Sequence, residues 1–469
     1  MDARDETVTG GRMVTRELAA WVAGLRYEDL PDPVVAEAGR AFADYLGESL
    51  FVGGTKPWGQ AIAEFCADDG GGQPQATIIA TGKKTLASRA ALANGTMALG
   101  FEYADFGGGG RPYPFAVTAP LVLAEARGRP GRDLVLGIVI GYEVMARVMA
   151  ATHRPGQPLS GFYLPALYGT FGSAAGAARV LGLSAQHTNY ALGLAAAFAG
   201  GTFQGHEEGA WQRSLNGGMA SERGATAALL AERGFKATEM GLEGVQGFAA
   251  MYWNGHLDPG ALLDDLGTSF AISRRWVKPY PMNLTLHAPV EALLKILRDN
   301  GLDHTDIVEI DAAWQRVEPF LAKHSVSTVV AAQASLPFAL AVAAVHGRIT
   351  VDEFTDETVA DPVVQEMITR TVVHQDEDLF RQVTNSMPGR VTVRTYDGRE
   401  LTDEVLYPKG NPANPLTEDE FEAKFMNMAL RVLGPDQANE LYRRARQLER
   451  VGDVAELAPL FSPRSNPTS

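Results

Sequence analysis

At 469 residues, 46% hydrophobic and 21% charged, the chain can bury a large core and has the make-up of a folded protein of two or three domains. Its formal net charge of -15 argues against a nucleic-acid partner, which needs concentrated Lys and Arg, and leaves any anionic ligand to a few local cations. The lone cysteine, Cys66, excludes an internal disulfide and a cysteine-built metal cage, and within AEFCADDGG it reads as a small buried hydrophobe.

The opening MDARDETVTGGRM is polar and acidic, unlike a secretory signal, and no apolar run reaches the roughly 20 residues of a membrane span, so a cytoplasmic location without membrane contact is expected. Periodicity predicts helices over 14–25, 33–50, 57–67, 85–100, 116–128 and 132–152, the last apolar enough to be buried on most sides. FGSAAGAARVLGL (171–183), ALGLAAAFAGG (191–201) and GMASERGATAALLAERGF (218–235) carry small residues on one face, which lets helix axes approach closely. Arg179, Glu222, Arg223 and Glu232 interrupt these runs and argue against a membrane helix face. No helix before residue 270 leads into a convincing strand, so this part is expected to be all-α.

After Phe270 the pattern changes. Ile307 to Trp314 alternates with period two, as does 390–408, where Asp397-Gly398 supplies a hairpin turn. Helices are predicted over 335–347 and from 358 onward, giving a smaller α+β unit over 271–405. The chain then returns to helix: Thr417 and Glu420 form a capping box, Phe421, Phe425 and Met428 share a face, and a last helix follows Pro435 before a frayed SPRSNPTS tail.

The most informative stretch is GFEYADFGGGGRPYPFAVTAPLVLAE (100–125). It joins the acidic and aromatic cluster of Glu102, Tyr103 and Asp105 to a four-glycine hinge and an Arg111-Pro112 pair. Other chemistries are excluded one by one. ATGKKT (80–85) lacks the first glycine of a phosphate loop, and there is no dinucleotide fingerprint, no H-E-x-x-H and no G-x-S-x-G elbow. The nine histidines are scattered, and the adjacent side chains of His206-Glu207-Glu208 diverge too much for a ligand set. What survives is acid–base chemistry without a cofactor, or no chemistry.

Several segments together resemble the MmgE/PrpD family, which contains 2-methylcitrate dehydratase, cis-aconitate decarboxylase and iminodisuccinate epimerase. They are LRYEDLPDPVVAEAGRAFADYLGESLFVGG (25–54), AALANGTMALGFEYADF (90–106), VIGYEVMARV (139–148), GFYLPALYGTFGSAAGAARVLGL (161–183), RSLNGGMASERGATAALLAERGF (213–235), KPYP…H (278–287), SLPFALAVAAVHGRIT (335–350) and GNPANPLTEDEFEAKF (410–425). The resemblance implies a mostly α fold: a large helical domain built from both chain ends, 1–270 and 406–469, with a smaller α+β lid over 271–405. It also implies a homodimer that needs no cofactor.

At the positions where the family carries its catalytic groups the residues differ. The family's D-F-D-D-T run followed by His-Pro corresponds to Glu102-Tyr103-Ala104-Asp105-Phe106 and then Arg111-Pro112. A second family histidine corresponds to Tyr163, a lysine to Arg213 and a third histidine to Asn216, while Lys278 and His287 are retained. A family tyrosine in the lid falls near Pro319 or Phe320. Arginine does not trade protons at physiological pH, but it clamps carboxylates and stabilises enolates. The expected proton-transfer groups are therefore Glu102, Asp105, Tyr163, Lys278 and His287. Substrate contacts are expected from Tyr103, Arg111, Tyr113 and Arg213. Phe101, Tyr103, Phe106, Tyr113, Phe115, Phe162, Tyr163 and Trp211 are expected to line a pocket larger and more apolar than a tricarboxylic acid requires.

The function these readings imply is a lyase or isomerase acting beside an activated C–H bond of a carboxylate substrate. Two alternatives stand beside it: a biosynthetic dehydratase, isomerase or cyclase for a larger, partly apolar intermediate, and a non-catalytic binding protein on the same scaffold.

Overall fold

The computed structural model describes residues 9–68, 72–107, 110–153, 161–314 and 319–463. Residues 108 and 109 of the glycine hinge, the first eight residues and most of the predicted tail lie outside the described residues. The helical body is built around Gly131–Thr152, Leu164–Val180 and Gln212–Glu232, with Ala87–Met97 and Ala185–Phe198 packed on them. Small residues make this possible. A Cβ on Gly172 would lie 2.6 Å from the carbonyl oxygen of Gly141, and one on Gly176 2.5 Å from that of Gly137, so the first two helices touch backbone to backbone. Gly131–Thr152 is long and apolar enough to cross a membrane by composition, contrary to the run-length reading, but 89% of its apolar window is buried inside the protein.

The C-terminal helices Glu418–Ala429 and Pro435–Arg446 return to pack on Asp32–Thr55, burying Phe421, Phe425 and Leu441 in the same core as Leu18 and Phe42. The predicted capping box closes the first of them: Glu420 N donates to Thr417 Oγ1 (3.2 Å) and Thr417 N to Glu420 Oε2 (2.7 Å).

Two expectations for the first 270 residues need correction. A small antiparallel hairpin, β1 (Ala76–Thr77) and β2 (Lys84–Thr85), interrupts the helices. The lysines of the ATGKKT segment belong to its turn and second strand, too few residues for alternation to show. The 116–128 helix is in fact two, Tyr113–Ala116 and Thr118–Ala126, stepped at Val117.

The lid carries a four-stranded sheet made of β3 (Ile307–Trp314), β4 (Thr371–Gln375), β5 (Gly389–Thr395) and β6 (Glu400–Val405), in the order β4-β3-β5-β6. β4 runs parallel to β3 and the other pairs are antiparallel. Gly398, at φ 86°, makes the predicted β5–β6 turn. The run from 358 is shorter as helix than its pattern suggests, since Pro362–Thr369 gives way to β4. His287–Asn300 and Leu336–His346 pack together and against the sheet. An apolar cluster joins Leu286, Trp314 and Phe338 of the lid to Phe51, Trp58, Met97 and Phe101 of the body.

The two chain crossings between these parts lie side by side, with Val277 N donating to Gly410 O at 3.0 Å. Gly410 has φ 89°, and a Cβ there would sit 1.9 Å from the Val277 carbonyl oxygen, so only glycine fits.

Candidate active site

The loop between Ala87–Met97 and Tyr113–Ala116 is pinned from both sides. Phe101 N donates to Glu48 Oε1 (2.8 Å), and Phe106 pairs with Trp276 through N–H···O bonds of 2.9 and 2.6 Å. Between these ties the backbone turns through a left-handed residue, Glu102 at φ 57°. That turn sends the Glu102 side chain into a buried cluster of cations.

Glu102 is 2% exposed. Its Oε1 accepts from Arg111 Nη2 (2.6 Å) and Arg213 Nη1 (2.7 Å), and its Oε2 from Lys278 Nζ (3.1 Å). Lys278 Nζ also donates to the Glu102 carbonyl (2.8 Å) and to Met282 O (3.0 Å). Arg111 Nη1 reaches the Tyr163 hydroxyl at 3.3 Å. The body supplies four of these groups: Glu102 and Arg111 from one loop, Tyr163 from the N-cap of Leu164–Val180 and Arg213 from the first turn of Gln212–Glu232, while Lys278 stands on the crossing into the lid.

Burial by itself would raise the Glu102 pKa, but Arg111, Lys278 and Arg213 together hold it well below the usual carboxylate range. Glu102 is therefore a fixed anion rather than a base. Burial lowers Lys278 to about 8 against the opposing pull of Glu102. Burial raises Tyr163, with Arg111 opposing.

Above this floor lies a cleft of two adjoining cavities, of about 490 Å³ and about 450 Å³, which share Phe106, Arg111, Phe203, Asn283 and Phe320 as walls. Lys278 opens to the first, and Tyr163, Phe162 and His206 to the second. Of the eight aromatics expected there, only Phe106, Phe162 and Tyr163 line it. Phe101, Tyr103, Tyr113 and Phe115 are buried in the core, and Trp211 is 51% exposed and leans on Trp58. Phe203 and Phe320 take the vacant places, brought in by chain reversals that leave no periodic mark.

The other expected site residues sit one layer deeper. Tyr103 donates to Pro279 O (2.7 Å) and lies under the Lys424 ammonium, 4.2 Å from its ring centroid. Tyr113 donates to Glu48 Oε2. Asp105 accepts from Tyr142 (2.5 Å) and from Tyr113 N (3.2 Å), with Arg275 3.5 Å away, and burial lifts its pKa to about 6. Tyr103, Tyr113 and Asp105 thus shape the loop and do not face the cleft. His287 is fully buried behind Lys278, its Nε2 3.4 Å from the same Met282 carbonyl, and burial and then Lys278 push its pKa well down. Among the described residues no group of three or more His, Cys, Asp or Glu is placed to hold a metal ion.

Glu48 supports the loop from below, and burial lifts its pKa from 4.5 to about 7 against its hydrogen bonds from Tyr113 and Phe101 N. A raised carboxyl pKa contributes stability that is complete below the unfolded value and is lost as pH rises through the folded one. Glu48→Gln is accordingly expected to flatten the decline of Tm between about pH 4.5 and 7, read by circular dichroism melts across that range. A variant whose melts decline as steeply as the wild type's removes Glu48 as the cause.

A helical body and an α+β lid thus meet over a buried carboxylate held by three cations, with the charge at the floor of the cleft and aromatic rings on its walls. Sequence models of the MmgE/PrpD N-terminal domain and the MmgE/PrpD C-terminal domain match residues 16–259 and 280–450. The chain belongs to the MmgE/PrpD family. It is 26% identical to the cis-aconitate decarboxylase-like protein oryM of Aspergillus oryzae, over 98% of this chain and 99% of that protein. The cis-aconitate decarboxylases of Homo sapiens and Aspergillus terreus are 25% and 24% identical, the former over 97% of this chain and 96% of that protein, the latter over 96% of each. A decarboxylase is a lyase, and two of these three relatives carry that name.

Proposed function

We propose that the chain is a lyase that holds a small polycarboxylate in the cleft and acts at the carbon beside a bound carboxylate, decarboxylation being the first candidate reaction. The observation that carries this reading is the charge at the floor. Arg111, Arg213 and Lys278 meet one carboxylate, an excess of two positive charges in a protein of net charge -15. Buried charge of one sign calls for a ligand of the other.

In a decarboxylation the bond to the departing carboxylate breaks and CO2 leaves. The electron pair spreads onto the neighbouring unsaturated acid, and one proton completes the new C–H bond. Arg111 and Lys278, on the cleft wall, hold the enolate-like charge, and the Tyr163 hydroxyl beside Arg111 is set to donate to it. Dehydration and epimerisation need the same charge stabilisation. Side-chain chemistry without a cofactor, a homodimeric assembly and a cytoplasmic setting are parts of this proposal.

A second reading, a larger substrate with an apolar portion, is favoured by the aromatic walls of the double cavity. Incubation with cis-aconitate, 2-methylcitrate and iminodisuccinate, followed by proton NMR and CO2 release, separates the readings. Turnover of cis-aconitate with release of CO2 is the expected result. No turnover of any of the three removes the narrow reading and leaves the larger substrate or a binding protein.

A further inference from the structure

The turn Gln204–Glu207 has no part in the reading above, yet it brings an imidazole to the cleft wall. His206 is stacked between two rings, with centroids 4.7 Å from Phe203 and 4.8 Å from Tyr163 and interplanar angles of 10° and 24°. Both of its ring nitrogens are buried, and among the described residues neither has a hydrogen-bond partner. A buried polar atom in a folded protein ordinarily has a partner, and an imidazole with both positions open is the exception that asks for one. The same residue lines the second cavity together with Arg111, Tyr163 and Asn283.

We propose that His206 carries the proton in this cleft, exchanging it with the substrate carbon beside the carboxylate that Arg111 holds. This rests on the lyase reading above. Burial raises the Tyr163 pKa and leaves its hydroxyl to donate a hydrogen bond, and the remaining groups are engaged elsewhere. Arg111 and Arg213 keep their protons, Glu102 is held ionised, and Lys278 Nζ has three acceptors in Glu102 Oε2, Glu102 O and Met282 O. His287 and Asp105 lie outside the cleft walls.

The charges that face His206 also explain how it is switched. Burial, then Arg213, then Arg111 keep the empty imidazole neutral, with Glu102 pulling the other way. The Tyr163 hydroxyl, the Glu207 carboxylate and the Lys278 ammonium are the remaining titratable groups around the cleft among the described residues. A substrate carboxylate offsets the two guanidinium charges, so the ring gains a proton from water as the site fills. In a decarboxylation the imidazolium then gives that proton to the carbon from which CO2 has left and returns to neutral.

The test has two arms. In His206→Gln, kcat on the accepted acid is expected to fall about 100-fold, with KM within about threefold and the melting temperature close to wild type. In wild-type protein with 13C-labelled histidine, the resonance missing from His206→Gln is followed against pH with and without tricarballylate, a saturated tricarboxylate. Its pKa is expected to rise by about one unit or more when the ligand saturates the site. Variant turnover within threefold of wild type overturns the proposal, as does an imidazole whose titration does not move when tricarballylate saturates the site. A wild-type protein that neither turns over the acids nor binds tricarballylate overturns the lyase reading, and this proposal with it.

Discussion

Glu102→Ala is expected to lower folding stability by about 3–5 kcal/mol and to abolish ligand binding. Arg213 and Lys278 are buried and Arg111 nearly so, and Glu102 is the one carboxylate that contacts all three. Removing it leaves three cations in a low-dielectric pocket without the carboxylate they share. Arg213 already has Nε and Nη2 without partners among the described residues, so it has no second acceptor to turn to. Urea unfolding followed by circular dichroism measures the loss. Glu102→Gln keeps the shape and an acceptor while removing the charge, and it isolates the electrostatic part. Because the Glu102 pKa is lowered, its contribution is complete above the unfolded value of 4.5 and drains away only as pH falls toward the lower folded value. Glu102→Gln should therefore lose the acid-side slope of the wild type. A cost below about 1 kcal/mol for the alanine variant would mean that the cluster is hydrated and worth no more than an exposed pair.

Lys278→Met is expected to reduce kcat about 1,000-fold on the proposed reading, because it removes a positive charge that steadies the negative charge developing during reaction. The ammonium faces the first cavity while also tying the Glu102 backbone to Met282 across the body–lid crossing. Steady-state kinetics alongside thermal melts separate these two roles. Loss of turnover with a melting temperature close to wild type assigns the ammonium to chemistry. A parallel loss of both assigns it to the crossing. Burial places its pKa at about 8, so the protonated donor fades as pH rises through that value. Activity is expected to fall on the alkaline side in the wild type, and a flat profile from pH 7 to 9 would count against the ammonium as the donor.

Much of the architecture was legible along the chain. The period-3.6 segments, the alternation over 307–314 and 390–408, the Asp397-Gly398 turn and the Thr417–Glu420 cap each lie within a few residues of one another, and local geometry decides them. The β1–β2 hairpin and β4 escaped because two- and five-residue strands hold too few alternations to outweigh neighbouring helix signals. Of the site, Glu102, Arg111, Tyr163, Arg213 and Lys278 were named from their motifs, and the structure brings all five together. Tyr103, Asp105, Tyr113 and His287 were named with them but stand in the supporting layer. A loop that is both acidic and aromatic gives no sign of which side chains face inward.

His206 shows the converse. In FQGHEEGAW the local pattern gives no sign that the histidine faces a cleft. Its place depends on Phe203 and Tyr163 closing over it from segments forty residues apart in the chain. The amino-acid order by itself carried the motifs that mark the family, and its periodicity and local turns determined the helical body and the smaller sheet-bearing part. Tertiary structure alone decided which groups are ionised, which rings form the walls and which nitrogens are left open. Those properties come from burial and from charges more than one hundred residues apart meeting within 4 Å, which no local pattern encodes.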